Sequence, residues 1–167
     1  ETDLLWFGGI GTYVKSSAQS QAQAGDRAND AIRVDGRDLR AKVVGEGANL
    51  GVTQPGRIEA ARAGVRLNTD AIDNSAGVDT SDHEVNLKIL FAAAAGKGTL
   101  ARTERDALLA EMTDDVAAHV LADNYRQTLA LSIAESDALG GLEGQARLMR
   151  ALEAKGKLDR AVEMLPD

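Results

Sequence analysis

Three short apolar runs are each followed by a glycine-containing turn, and this repeated grammar limits the possible folds more than any other feature. Asp3-Leu4-Leu5-Trp6-Phe7 ends at Gly8-Gly9, Ala41-Lys42-Val43-Val44 enters Gly45-Glu46-Gly47-Ala48-Asn49, and Val65-Arg66-Leu67 precedes Asp70 to Gly77. Short apolar runs bounded by turn residues are expected of fully buried strands in a parallel sheet. Between the second and third runs, Gly56 to Ala63 has helical composition and stops at Gly64, the residue type favoured just past a helix C-terminus. Strand, loop, helix, strand is the βαβ pattern, and a helix-length crossover makes the two strands parallel neighbours. The expected class is α/β, with a partial parallel sheet of about three strands and an edge left unpaired. Ser16 to Asn29, polar and rich in Ala and Gln, reads as a mobile loop or a weak surface helix.

From Ser81 onward the pattern is helical. Ser81-Asp82-His83-Glu84 fits a capping box, and the helix it would open carries Val85, Leu87, Ile89, Leu90 and Phe91 to an end near Gly96 or Gly98. Thr103 with Asp106, and Thr113 with Val116, mark two further starts. Val120, Leu121, Tyr125, Leu129 and Ile133 recur at three- and four-residue spacing along one long helix, which Gly140-Gly141 is expected to break. Gln145 to Ala154 and Leu158 to Leu165 read as closing helices. The organisation expected is an α/β part over residues 1–98 and an all-helical C-terminal segment over 99–167.

Composition removes several classes of function. The net charge of −7 disfavours non-specific binding to nucleic acid or to anionic membranes, because phosphate attraction needs a surplus of Lys and Arg. The longest apolar stretch, Ile89 to Ala95, is far below the roughly 20 residues that cross a bilayer. The absence of cysteine excludes disulfides, thiolate catalysis and cysteine-held metals, and is compatible with a reducing cytoplasm. With 3% aromatic residues, the core must come from Ala, Leu, Val and Ile. A start at Glu1 without a secretory leader suggests an excised piece of a longer, cytoplasmic protein.

In parallel α/β sheets the carboxyl ends of the strands line the ligand crevice. Glycine there lets backbone N–H groups approach a ligand, and Asn49 or Asn74 can read a ribose or an amide through paired hydrogen bonds. The competing reading is that these glycines serve tight turns. Neither G-x-G-x-x-G nor G-x-x-x-x-G-K-[ST] occurs, and Gly96-Lys97-Gly98-Thr99 follows a helix and reads as a helix end. Asp79, Asp82, His83 and Glu84 lie together, but a helix start with its dipole and cap accounts for them better than a metal site does. The pairs Asp114-Asp115 and Glu135 with Asp137 read as solvated faces.

Lys42 to Asn49, the spacer helix, and Asp73-Asn74-Ser75-Ala76-Gly77-Val78-Asp79-Thr80-Ser81 resemble the cofactor domain of glutamate dehydrogenases. That family has a strand ending in E-G-A-N, then a helix and a strand, then a segment like N-A-G-G-V-x-x-S and a long helix. Leu5 to Lys15, Gly25 to Asp30 and Asp73 to Asn86 resemble the very large bacterial NAD-specific members. The likeness is close over roughly residues 3–91 and weaker through Asn124-Tyr125. It implies a Rossmann-like fold, NAD as cofactor, L-glutamate and 2-oxoglutarate as substrate and product, and a homo-oligomeric parent enzyme. By position, Gly47, Ala48 and Asn49 would border the nicotinamide, and Asn74 would bond its ribose or carboxamide. Gly8 and Gly9 would sit near the middle of the cofactor. Ser81 matches a serine that touches the distal carboxylate of glutamate in the small hexameric enzymes, and Val78 matches a residue lining that pocket.

Ser75-Ala76 stands where Ala-Gly is usual, and Asp82-His83 replaces an aromatic pair, so the pocket's shape departs from the small enzymes. The lysine- and aspartate-bearing substrate domain and the glycine fingerprint of the first βα turn find no match here. Whatever holds the pyrophosphate is expected before Glu1, and no catalytic residue is expected in this chain. The reading is therefore a fragment of an NAD-dependent glutamate dehydrogenase that contributes nicotinamide-side loops to the rest of its parent chain. The rival is a helical interaction or assembly module without a cofactor site of its own. A metal hydrolase built on Asp79, Asp82, His83 and Glu84 is a third, weaker reading.

Overall fold

The computed structural model describes residues 2–165. Strand β1 (Thr2–Phe7) pairs in parallel with β4 (Ala41–Glu46), placing Leu4 opposite Val43 and Trp6 opposite Gly45. The third expected strand is reduced to one bridge. Arg66 lies parallel to Val43, its N–H donating to Lys42 O and its carbonyl accepting from Val44 N–H, both at 2.9 Å. Two-residue strands β2 (Val14–Lys15) and β3 (Val34–Asp35) form a second parallel pair, extended by a bridge from Val14 to Val52. Neither short strand has a sequence signature, since both are set by their pairing. β1 also departs from expectation, because it is an edge strand whose Leu4 and Trp6 are exposed. Only its alternate residues, Leu5 and Phe7, pack on the core of Val14, Ala41, Val44, Val52, Ala60 and Val65.

Ser16 to Asn29 is ordered into two short pieces. Helix α1 (Gln21–Ala24) is capped by Ser20 and ended by Gly25 at φ 77°, and Arg27–Asn29 makes a single tight turn. The Arg33 guanidinium, buried beneath this segment, donates to Thr12 O, Asp26 O, Gln21 and Asp30. Helix α2 (Gln54–Arg62) begins at Thr53, whose hydroxyl accepts from Gly56 N–H at 3.1 Å, with Pro55 in its first turn where a missing N–H costs nothing. It stops ahead of Gly64, at φ 95°.

The second half departs further. Asp70 to Gly77 is helical instead of a loop: α3 (Asp70–Asp73) turns at Asn74 into α4 (Ser75–Gly96). The expected start at Ser81 is overturned, since Ser81 lies mid-helix and Glu84 pairs with Lys88 at 3.6 Å instead of reaching back. The capping account of Asp79, Asp82, His83 and Glu84 falls with it. Gly98, at φ 70°, and the Thr99 hydroxyl on Ala94 O finish this helix, as a helix end should.

Helix α5 (Arg102–Glu111) is held at its start by the Glu104 carboxylate on Ala101 N–H at 2.9 Å, and α6 (Thr113–Ser136) follows directly. Gly140-Gly141 does not break a helix. The break falls at Asp137, and both glycines lie in the first turn of α7 (Ala138–Ala154), where a Cβ on Gly140 would meet the Asp137 carboxylate at 2.6 Å. Leu158 to Leu165 forms turns and no helix. α4 packs on α6, which also touches α3, α5 and α7, yet Phe91 and Val120 are the sole buried apolar side chains among the described residues of these helices. No helix among the described residues is long and apolar enough to cross a membrane.

Candidate functional site

The loop after β4 and the corner between α3 and α4 meet. Asn74 Nδ2 donates to Asn49 Oδ1 at 2.9 Å, joining asparagines 25 residues apart. Both line an open cleft of about 580 Å³ together with Val78, Asp79, Asp82, Asp123 and Arg126. Gly77 leaves room for this arrangement, since a Cβ there would lie 2.9 Å from Asn74 Oδ1.

The loop is anchored from within by a buried ion pair. Glu46, 1% exposed, accepts from Arg57, 9% exposed, and from Val52 N–H. Burial pushes the Glu46 carboxyl above the ordinary carboxylate range, and the Arg57 guanidinium opposes that rise without cancelling it. Arg57 also donates to Asn68 O, Gln54 Oε1 and Val52 O, so one side chain binds both ends of the turn to α2. Asp73 and Asp70 hold the loop from the other side: Asp73 Oδ2 accepts from Glu46 N–H at 3.0 Å and Asp70 Oδ2 from Leu50 N–H at 2.9 Å.

The other expected positions scatter around this centre. Gly47 and Ala48 belong to the same loop, half-buried, but the Trp6 indole lies over Gly45 and Gly47, where added Cβ atoms would approach it to 2.6 and 2.4 Å. Gly8 and Gly9 are exposed at the end of β1, with nothing within 4 Å of an added Cβ. Val78 borders the cleft. Ser81 is exposed, lies between Val78 and Asp82 on α4, and does not line it. His83 Nε2 lies 3.5 Å from Asp79 Oδ1 and its ring 6.3 Å from that of His119. Among the described residues, no group of three or more His, Cys, Asp or Glu side chains could hold a metal ion.

Asp70, Asp73, Arg57 and Asn124 were not singled out by sequence reasoning. The one available signal was the placement of Asp70 and Asp73 just ahead of Asn74. Asn124 contacts this region across about fifty residues, which no local pattern reveals.

Fold and site thus define a parallel α/β unit with paired amides at the carboxyl end of its best-formed sheet. Residues 1–134 match the family model of the bacterial NAD-glutamate dehydrogenase catalytic domain, and the chain belongs to that family. It is 56% identical over 166 residues, 99% of its length, to an NAD-specific glutamate dehydrogenase of Halomonas elongata. Proteins of the same description from Pseudomonas aeruginosa and Mycobacterium tuberculosis are 58% and 51% identical over 164 residues, 98% of the chain. The chain spans about 10% of the length of each of these relatives.

Proposed function

We propose that this chain supplies the nicotinamide-side wall of the NAD site in an NAD-dependent glutamate dehydrogenase. The parent reaction is oxidation of L-glutamate, with NAD and water, to 2-oxoglutarate, ammonia and NADH. The observation that carries the reading is the amide pair. With one hydrogen bond between them, Asn49 keeps both amide protons and Asn74 keeps its carbonyl oxygen for a ligand. A carboxamide or ribose hydroxyls match that set of donors and acceptors.

The cleft's charge also favours the reading. Four carboxylates (Asp70, Asp79, Asp82 and Asp123) face one guanidinium, Arg126, which suits a ring that is cationic when oxidised. The same charges work against a second role. A glutamate carboxylate entering this cleft would meet those four carboxylates, with Arg126 the one cation among the described lining residues, so the charges oppose a substrate role for Val78 and Ser81. Gly47 and Ala48 shape the loop, and Gly8 and Gly9 present open backbone at the neighbouring strand end. On this reading the sheet is the distal part of a Rossmann-like domain over residues 1–98, backed by the helices α5 to α7 of the segment that follows, within a homo-oligomeric cytoplasmic parent.

Accepting a hydride from the substrate carbon is the chemistry NAD supplies when bound. The residues here orient the carboxamide-bearing ring and hold its loop. The test uses the full-length protein: Asn74→Ala and Asn49→Ala raise KM for NAD roughly tenfold and leave KM for glutamate within about twofold, the loss expected of one or two neutral hydrogen bonds. Unchanged KM for NAD in both variants overturns the reading. The 167-residue chain alone carries no acid–base pair under this assignment, and glutamate-dependent NADH formation by it would refute that part.

One observation favours the assembly reading. Leu121, Tyr125, Leu129 and Ile133 leave an apolar stripe of α6 exposed. The rest of the parent polypeptide is the partner that fits, given how small a share of its relatives this chain spans. Protection of α6 amides in the full-length protein, absent from the isolated chain, is the expected signature.

A further inference from the structure

Neither asparagine of the pair holds itself in place. Asn74 is the corner residue between α3 and α4, at φ −102° and ψ 15°, and no side chain caps the helix that begins there. The support comes from two neighbours. Behind the corner, Asn124 of α6 donates from Nδ2 to Ile72 O at 3.2 Å and to Ser75 Oγ at 2.9 Å, so both amide protons go to residues flanking Asn74. In front, Asp73 spends both carboxylate oxygens, one on Glu46 N–H and the other on Asn68 Nδ2 at 3.2 Å. The corner is thus tied to α6 on one side and to the Asn49 loop on the other.

We infer that Asp73 and Asn124 are positioning residues for the Asn49–Asn74 pair, which makes α6 a working part of the cofactor wall. The inference rests on the reading above for what the pair binds, but the pose itself does not depend on that reading. An asparagine serving helix packing alone would need no donor at the corner. Asn124→Asp keeps the shape and loses both donors, and Asp73→Asn leaves one acceptor oxygen where two donors converge.

The test is made in the full-length protein with two readouts. In the first, Asn49→Cys with Asn74→Cys is oxidised without cofactor, and the disulfide between the two introduced thiols is followed by peptide mapping. In the second, KM for NAD and kcat are measured with the asparagines intact. Asn124→Ala, Asn124→Asp and Asp73→Asn each slow the cross-link and raise KM for NAD roughly five- to tenfold, with kcat and KM for glutamate little changed, the scale of one neutral hydrogen bond. A cross-link rate unchanged by these substitutions overturns the inference whatever the kinetics show. So does an Asn124→Asp variant that behaves as wild type, which would leave packing as the role of Asn124. A slowed cross-link with unchanged KM for NAD separates two failures. If Asn74→Ala raises KM, the placement does not reach the cofactor and the inference is overturned; if Asn74→Ala is also silent, the cofactor reading fails while the slowed cross-link still supports the positioning of the pair.

Discussion

Replacing Arg57 by Met should uncouple the Asn49 loop from the core, and the geometry sets the scale. Arg57 makes four donations, to Glu46 Oε1, Gln54 Oε1, Asn68 O and Val52 O. Methionine fills much of the same space with no donor. It strands a carboxylate that is 1% exposed, together with two backbone carbonyls. Removing one partner of a buried pair costs about 3–5 kcal/mol, because the remaining charge stays desolvated. That is a large share of the roughly 5–15 kcal/mol that holds a domain together. At about 1.4 kcal/mol per factor of ten, amides of residues 46–57 should exchange roughly a hundredfold to several thousandfold faster if local opening limits them.

Hydrogen exchange of the full-length protein at pH 7, read by mass spectrometry, measures this directly. Arg57→Met with Glu46→Gln removes both charges and should recover more than half of the loss, so the two substitutions are strongly non-additive. The effect of Arg57→Met alone should also shrink on acidification, after correction for intrinsic exchange. Burial already raises the Glu46 carboxyl, and it escapes its stranded charge by taking a proton. Additive substitutions, or an Arg57→Met effect indifferent to pH, would refute the claim that the ion pair anchors this loop.

Three further predictions follow from particular contacts. The Glu59 carboxyl is held below its ordinary range first by the Ser17 hydroxyl and then by Ser17 and Arg37 N–H groups, so its stabilisation is present above the unfolded carboxylate range and disappears as pH falls through the lower folded value. Glu59→Gln should flatten the acid limb of a stability–pH curve, and an unchanged limb counts against it. Gly56→Ala should destabilise, because its Cβ would sit 2.8 Å from the Lys15 backbone and overpacking at about 1–3 kcal/mol outweighs about 1 kcal/mol of helix propensity; Gly96→Ala, with nothing within 4 Å, should have the opposite sign in unfolding measurements. Gly47→Ala should swing the Trp6 ring away with little loss of stability, since Trp6 is 57% exposed, and the Trp6 indole N–H resonance should shift.

What could be read from the sequence was local. β4 and α2 were legible because a β-branched run and a glycine stop act within a few residues of themselves, and Asn49 and Asn74 emerged because each follows such a run. The start of α4 was not legible. Ser81 to Glu84 has capping composition, but the chain is already helical from the corner at Asn74, which is fixed by its bond to Asn49 and by Asn124 bonding the residues beside it. Likewise β2 and β3 exist through their pairing, and β1 looked buried because an apolar run does not say whether both faces are covered. Gly140 misled for the opposite reason: its missing side chain accommodates Asp137 at a helix start instead of ending a helix.

The glycines show why composition alone cannot separate site from scaffold in this family of loops. Gly45 and Gly47 alternate at the end of β4 and present one bare face, and Trp6, directly across the register from Gly45, lays its indole on it. That contact accounts for both glycines without any ligand. Gly77 similarly makes way for the Asn74 amide. What scaffold does not account for is the exposed pair itself: two amides brought together by Asp73, Asp70 and Asn124, each with hydrogen-bonding capacity left facing a cleft. A turn needing only rigidity would have satisfied those groups internally, as Arg57 and Glu46 do behind the same loop. The functional reading therefore stands on the asparagines and their supports, and the glycines serve it by letting the backbone come close enough for the amides to meet.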